Sequence, residues 1–200
     1  MKTLLDSIKD RRSIYSFGNN ESIDSEKIIT LIKDITKYVP SAFNMESQRV
    51  VLLLNEEHHK VWNITLKILE GIVTDPKAFE ATKNKVENSF ISGFGTVLYF
   101  EDTKVVEKKG DSVPAFKHNF DSWSVQGNAM LQYGIWLTLT SAGYGASVQH
   151  YNPLIDDEVK KTWNIPASWK LIAQMPFGNI KDQPQKKTFM PLDDKIKVYK

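Results

Sequence analysis

The sequence predicts one domain, spanning residues 1–200, that mixes amphipathic helices with short buried strands. Three observations carry that prediction. An apolar content of 41% with 11% aromatics is enough to build a sizeable core in 200 residues. The runs Arg49–Leu54, Thr96–Phe100 and Trp169–Gly178 read as strands, the first two with the unbroken apolar character of buried ones. Finally, from Ser122 to Ile155 the chain runs 34 residues without Asp, Glu, Lys or Arg, although 25% of the sequence is charged.

That charge-free stretch opens with a helix, capped near Asp121 or Ser122 and stopped at Gly143, which can take the left-handed turn a helix end requires. Val125, Ala129, Tyr133, Trp136 and Leu137 form one apolar stripe; Leu131, Ile135 and Leu139 form another. A helix apolar nearly all round is buried, so both faces should be covered. A membrane span is excluded by Gln126, Asn128, Gln132 and Gly134 within the run and by the lack of flanking basic clusters. After Gly145, the segment from Ala146 to Pro153 reads as a short strand leading into an Asn-Pro turn.

The other elements follow in order. Leu4, Leu5 and Ile8 mark a short amphipathic helix ending in Arg11-Arg12, a pair that either complements the helix dipole or forms, with nearby Ser13, a clamp for a phosphate. Asp24-Ser25 caps a helix whose buried side holds Ile28, Ile32 and Ile35, closed by Pro40. The loop from Pro40 to Gln48 runs into the first strand; its Ser41 and Asn44 are either turn residues or ligand contacts. His58-His59 opens a helix with Val61, Ile64, Ile68 and Ile72 inward, the two histidines being expected to face solvent and to make a poor metal pair. A helix from Lys77 to about Asn88 precedes the second strand. Residues 101–110 are a charged peripheral segment, and residues 111–121 a loop whose aromatics either anchor it or wall a flat ligand. Asp156 caps a short helix to Trp163. The tail from Asn179 ends in an alternating Ile196-Val198 segment suited to docking along a sheet edge, on this chain or on a second copy.

Composition excludes several classes of function. No cysteine is present, which removes disulfide scaffolds, cysteine-ligated zinc, iron-sulfur clusters and thiol catalysis, so redox chemistry needs a cofactor. A formal charge of +2 is too small and dispersed for nucleic acid or an anionic membrane surface to be the main partner. The amino terminus has charges of both signs and no long apolar core, so it is not a secretory signal and a cytoplasmic address is expected.

Taken together, Arg11-Arg12-Ser13, the stretch PSAFNMESQRVVLL from Pro40, GFGTVLYFED from Gly93, GASVQHYNPLID from Gly145, SWKLIAQMPFG from Ser168, and Lys187 with Phe189 resemble the nitroreductase family, most closely its fatty-acid-repression-mutant-like branch. The match runs nearly end to end. The resemblance implies an α+β fold, a three-layer sandwich with a mixed central sheet flanked by helices, assembled as an intertwined homodimer with FMN at the subunit interface. It implies that Arg11, Arg12, Ser13 and Lys187 hold the phosphate, with Tyr15 standing where relatives often carry Lys or Arg. Phe189 likewise stands where better-known members place a second basic ligand. Ser41 and Asn44 would reach the flavin from the partner, and the segment holding Gln149 and His150 would present a backbone N–H towards flavin N5.

The activity so implied is a two-step exchange: NADH or NADPH reduces the flavin by hydride transfer, then a nitroaromatic or quinone-like acceptor takes its place. No side chain is required as a specific acid or base, and no metal is expected. Phe43, Phe116, Phe120 and Trp123 are the residues suited to wall the substrate slot. The alternative function is a flavin-binding redox sensor or regulator with incidental reductase activity. No GxGxxG fingerprint is present to choose between the two nicotinamide donors.

Overall fold

The computed structural model describes residues 2–18 and 20–200. Its elements are α1 (Leu4–Asp10), α2 (Ser25–Tyr38), β1 (Gln48–Leu54), α3 (Glu56–Glu70), α4 (Pro76–Val86), β2 (Gly95–Asp102), α5 (Thr103–Ser112), α6 (Phe120–Ser141), β3 (Tyr144–Ala146), α7 (Asp156–Thr162) and β4 (Trp169–Asn179). Short helical turns cover Ala42–Asn44, Glu87–Ile91 and Pro114–Asn119.

The four strands form one sheet in the order β1-β2-β4-β3, each neighbouring pair antiparallel. The mixed character the resemblance implies enters through one parallel bridge, Ser13 to Ala146, where the Ile14 N–H donates to the Ala146 carbonyl at 3.0 Å. β2 is central and buried on both faces, so its side chains divide the core by alternation. Val97 and Tyr99 pack with Ile28 and Ile32 of α2 and Leu131, Ile135 and Leu139 of α6. Leu98 and Phe100 pack on the other face with Val61 and Trp62 of α3, Phe90 and Val159. Each such side chain contributes roughly 1.5–3 kcal/mol on burial. Three layers result, as expected. Between Tyr99 and Phe100 the register with β4 shifts, leaving Ile172 unpaired as a one-residue bulge.

The charge-free helix is α6, which ends before Gly143 at φ 92°. Its stripe of Leu131, Ile135 and Leu139 is buried against the sheet. The opposite side is exposed in the single chain: Val125, Gln126, Ala129, Met130 and Tyr133 face outward, with Gln132 and Trp136 half-buried. No helix among the described residues is long and apolar enough to cross a membrane.

Three sequence expectations are corrected. His58 is fully buried rather than solvent-facing, because the inner face of α3 is His58, Val61, Trp62, Thr65 and Leu69, while Ile72 is exposed. Glu101 is not peripheral; it ends the buried part of β2 and is 3% exposed. The strand expected from Ala146 onward lies earlier and is shorter. Its ladder with β4 stops at Ala146–Phe177 because the next residue across, Pro176, accepts from the Ser147 N–H at 3.2 Å but has no N–H to return.

Candidate functional site

The sequence places two features side by side on the outward strip of α6. A separate cavity of ≈ 730 Å³ lies away from α6, between α3 and α7, and has Ile64 and Ile68 in its lining. On α6 itself the larger cavity is ≈ 870 Å³ and is lined by Lys9, Arg11, Arg12, Lys186 and Lys187 together with Ile8, Tyr133, Trp136 and Phe189. Its lining holds five cations and no carboxylate, a charge balance suited to an anion.

The geometry assigns distinct parts to these residues. α1 ends just before Arg11, whose guanidinium carbon stands 4.5 Å from the centre of the Trp136 ring; the stack holds the fork at the cavity wall. Arg12 instead ties the tail down, donating from Nη2 to the Gln185 carbonyl at 2.8 Å and so bringing Lys186 and Lys187 to the cavity. Lys187 Nζ lies 5.2 Å from the Phe189 ring centre. Ser13 sits at the parallel bridge and Tyr15 beyond it is exposed; neither lines the cavity. Trp136 Nε1 is buried and has no hydrogen-bond partner among the described residues.

The second feature, a shelf of ≈ 360 Å³, is lined by Pro40, Ser41, Ala42, Phe43, Trp123, Gln126 and Met130. Phe43 rides on an aromatic stack, with ring centres 5.6 Å from Phe120, 5.8 Å from Trp123 and 6.3 Å from Phe116. Phe120 is 1% exposed and forms the base of the stack, while Phe43 and Phe116 are about half exposed. Phe43, Asn44 and Glu46 all have φ near +50°, a region costly for side chains that are not glycine. Local bonds hold that conformation: the Glu46 N–H donates to Ser41 Oγ at 2.9 Å and Asn44 Nδ2 donates to Glu46 Oε1 at 2.8 Å. Ser41 and Asn44 therefore act as turn residues within this chain while lying at or beside the shelf.

Between α6 and the end of β2 runs a polar seam that the sequence reading missed. Asn128 of α6 donates to Glu101 Oε1 at 2.8 Å and to the Phe100 carbonyl at 3.1 Å, and Gln132 donates to Asn128 Oδ1 at 2.8 Å. Burial pushes the Glu101 carboxyl up from its ordinary value, against the bond from Asn128. In the sequence only the polar Asn128 and Gln132 inside a mostly apolar helix hint at it. Trp136 and Tyr133 were read as apolar stripe and Lys186 as tail, because nothing in sequence joins residues so far apart.

The remaining expected residues follow β3. Gln149 pairs by its main chain with Gln174 of β4, and His150 is exposed. The N–H of His150 makes no hydrogen bond among the described residues, whereas the N–H groups on either side are engaged.

The three-layer sandwich thus carries a cationic cavity and an aromatic shelf along one helix, α6. Residues 8–179 match the nitroreductase family, and the chain belongs to it. HBN1 of Saccharomyces cerevisiae is 31% identical over 196 residues, 97% of this chain and 96% of that protein. Nitroreductase FRM2 of the same yeast is 26% identical over 197 residues, 98% and 96% of the two chains, which agrees with the branch suggested by the sequence motifs. Nitroreductase CinD from Lactococcus lactis, solved with chloramphenicol, superposes with a TM-score of 0.89 at 38% identity, covering 99% of this chain and 100% of that one. CinD has also been solved with 4-nitrophenol. A nitroreductase with bound FMN from Desulfitobacterium hafniense shares the fold, with a TM-score of 0.71, 19% identity and full coverage of both chains.

Proposed function

We propose that this protein is an FMN-dependent oxidoreductase that uses NADH or NADPH to reduce nitroaromatic or quinone-like acceptors. The observation that carries the proposal is the cavity lined by five cations and no carboxylate, flanked by the Trp136 and Tyr133 rings. Its residues fit FMN: Arg11 and Lys187 would hold the phosphate, Arg12 would fix the tail that brings Lys187 in, and the unpartnered Trp136 Nε1 supplies a further donor. Ser13 and Tyr15 do not line the cavity; Ser13 instead ties this segment to Ala146.

When bound, FMN supplies reversible two-electron chemistry that no side chain here provides. The protein's own part is to bind, orient and exclude water. The His150 N–H offers a main-chain donor, and Phe43 and Trp123 offer aromatic faces to a flat acceptor. The complexes of CinD with chloramphenicol and 4-nitrophenol, both nitro compounds, support that acceptor class.

The same reading makes the protein a homodimer. Val125, Met130 and Tyr133 on α6 and Leu4, Leu5 and Ile8 on α1 present apolar surface that one copy leaves open. Among the described residues β1 pairs only with β2, which leaves its other edge open to a strand, and the exposed Ile196 and Val198 have the alternation to supply one from a second copy. Ser41, Asn44 and Phe43 of one copy would then complete the site begun by Arg11 of the other.

FMN titration of the purified protein tests the proposal. The wild type is expected to turn yellow with one FMN per chain. Arg11→Ala, which removes a charge-assisted contact of about 1.5–3 kcal/mol, should bind at least about tenfold more weakly. A protein that stays colourless with excess FMN refutes the reading. Steady NADH or NADPH turnover with a simple quinone or nitroarene completes the assignment, whereas reduction of bound FMN without turnover would favour the sensor.

A further inference from the structure

Gln174 lies in the middle of β4 and is fully buried, yet it is polar. Burying an amide costs free energy unless its hydrogen bonds are made, and a leucine or methionine would fill the same space without that cost. All of the bonds it makes go to one segment. Its main chain exchanges two hydrogen bonds with Gln149, at 2.7 and 2.9 Å. Its side-chain Oε1 accepts the Tyr151 N–H at 2.8 Å, and its Nε2 donates to Asn152 Oδ1 at 3.5 Å. The N–H groups of residues 149 and 151 therefore both point at β4. In extended backbone successive N–H groups alternate in direction, so the one between them, from His150, is turned the other way.

We propose that Gln174 is a positioning residue: it clamps the segment on both sides of His150 and thereby holds the His150 N–H fixed and outward as a donor to the flavin. The inference rests on the reading of this chain as an FMN protein. A preorganised donor stabilises the negative charge that the flavin gains on reduction without reorganising at that moment. Gln174 touches no ligand; it acts through the backbone of its neighbours. Such a clamp is needed because, past the Gln149 pair, no main-chain hydrogen bond among the described residues joins this segment to β4, so the Gln174 side chain takes over at Tyr151.

The test compares full-length wild type, Gln174→Leu and Gln174→Glu by three readouts: amide hydrogen exchange at Tyr151 without FMN, the FMN dissociation constant, and the two-electron potential of the bound flavin. In Gln174→Leu, exchange at Tyr151 should accelerate at least tenfold and FMN affinity should stay within threefold, because the cationic cavity is untouched. Reduction should become less favourable by threefold or more, a potential about 14 mV more negative at 29.6 mV per tenfold for two electrons. Gln174→Glu keeps an acceptor for the Tyr151 N–H and should restore most of that shift. Gln174→Met, closer in shape, replaces the leucine variant if that one does not fold. A shift smaller than threefold with FMN still bound overturns the proposal, as does unchanged exchange at Tyr151. A wild type that takes up no FMN overturns the functional reading and this inference with it, a result distinct from either of those.

Discussion

At the scale of single residues, His58 shows how burial sets chemistry. The Ile91 carbonyl, 3.2 Å from Nε2, can only accept, so Nε2 carries the proton. The Nδ1 atom then accepts from the Thr96 hydroxyl at 2.8 Å, and Thr96 Oγ1 in turn accepts from Trp62 Nε1 at 2.9 Å. The ring is thus held neutral, and burial depresses its pKa from 6.5 to about 4. A histidine with a depressed folded pKa binds fewer protons folded than unfolded between those two values. Stability therefore falls as pH drops from 6.5 to about 4, by roughly 3 kcal/mol at 1.36 kcal/mol per unit. Urea unfolding at pH 7 and pH 4 should show a larger acid loss for the wild type than for His58→Gln, by about that amount. Equal losses would mean that other groups govern acid stability.

At the scale of elements, what the sequence made legible was local. The stop of α6 before Gly143 was legible, but its start was not: the expected caps Asp121 and Ser122 lie inside the helix, which begins at Phe120 after Asn119, a residue that makes no side-chain cap bond. β1 and β2 were legible as nearly continuous apolar runs, and β4 as an extended, mostly apolar segment despite Gln174 and Pro176. α3 was placed correctly but with the wrong inner face: Val61, Ile64 and Ile68 form a plausible stripe, and His58 and Trp62 were invisible as core because their partner Thr96 arrives from another strand. Of the site, Arg11 and Phe43 could be named from motifs, whereas the stack on Trp136 and the seam from Glu101 to Gln132 depend on elements meeting in space. The contact between the first extended segment and β3 is of that kind too. A Cβ on Gly145 would come within 2.8 Å of three side-chain carbons of Ile14, among them Cβ itself, so the branched side chain cannot simply swing away. Gly145→Ala should therefore cost roughly 1–3 kcal/mol in denaturant unfolding and displace the bridge that follows Arg11. FMN affinity should fall with it; full stability in the alanine variant would show that the bridge yields freely.

For the whole molecule, the cavity and the shelf lie along one strip of α6, both facing outward. Gln126 at the shelf and Tyr133 at the cavity are about 10 Å apart along the helix axis, at 1.5 Å per residue. In the proposed dimer, each FMN draws its phosphate contacts from one copy and its aromatic cover from the other, so binding and association must be linked. Any ligand that binds the associated state better shifts the equilibrium towards it, and the coupling is reciprocal. Ala129 is exposed on the strip between the two features and lines neither. Ala129→Glu puts a charge where the second copy would bury it, at a cost of several kcal/mol, without touching the phosphate residues. Sedimentation velocity should show the wild type as a dimer, and the variant as a monomer that FMN drives back towards dimer as protein concentration rises. At micromolar protein the variant should bind FMN at least about tenfold more weakly, with the deficit shrinking at higher concentration by mass action. A monomeric variant that holds FMN as tightly as the wild type at every concentration would show that one copy builds the whole site.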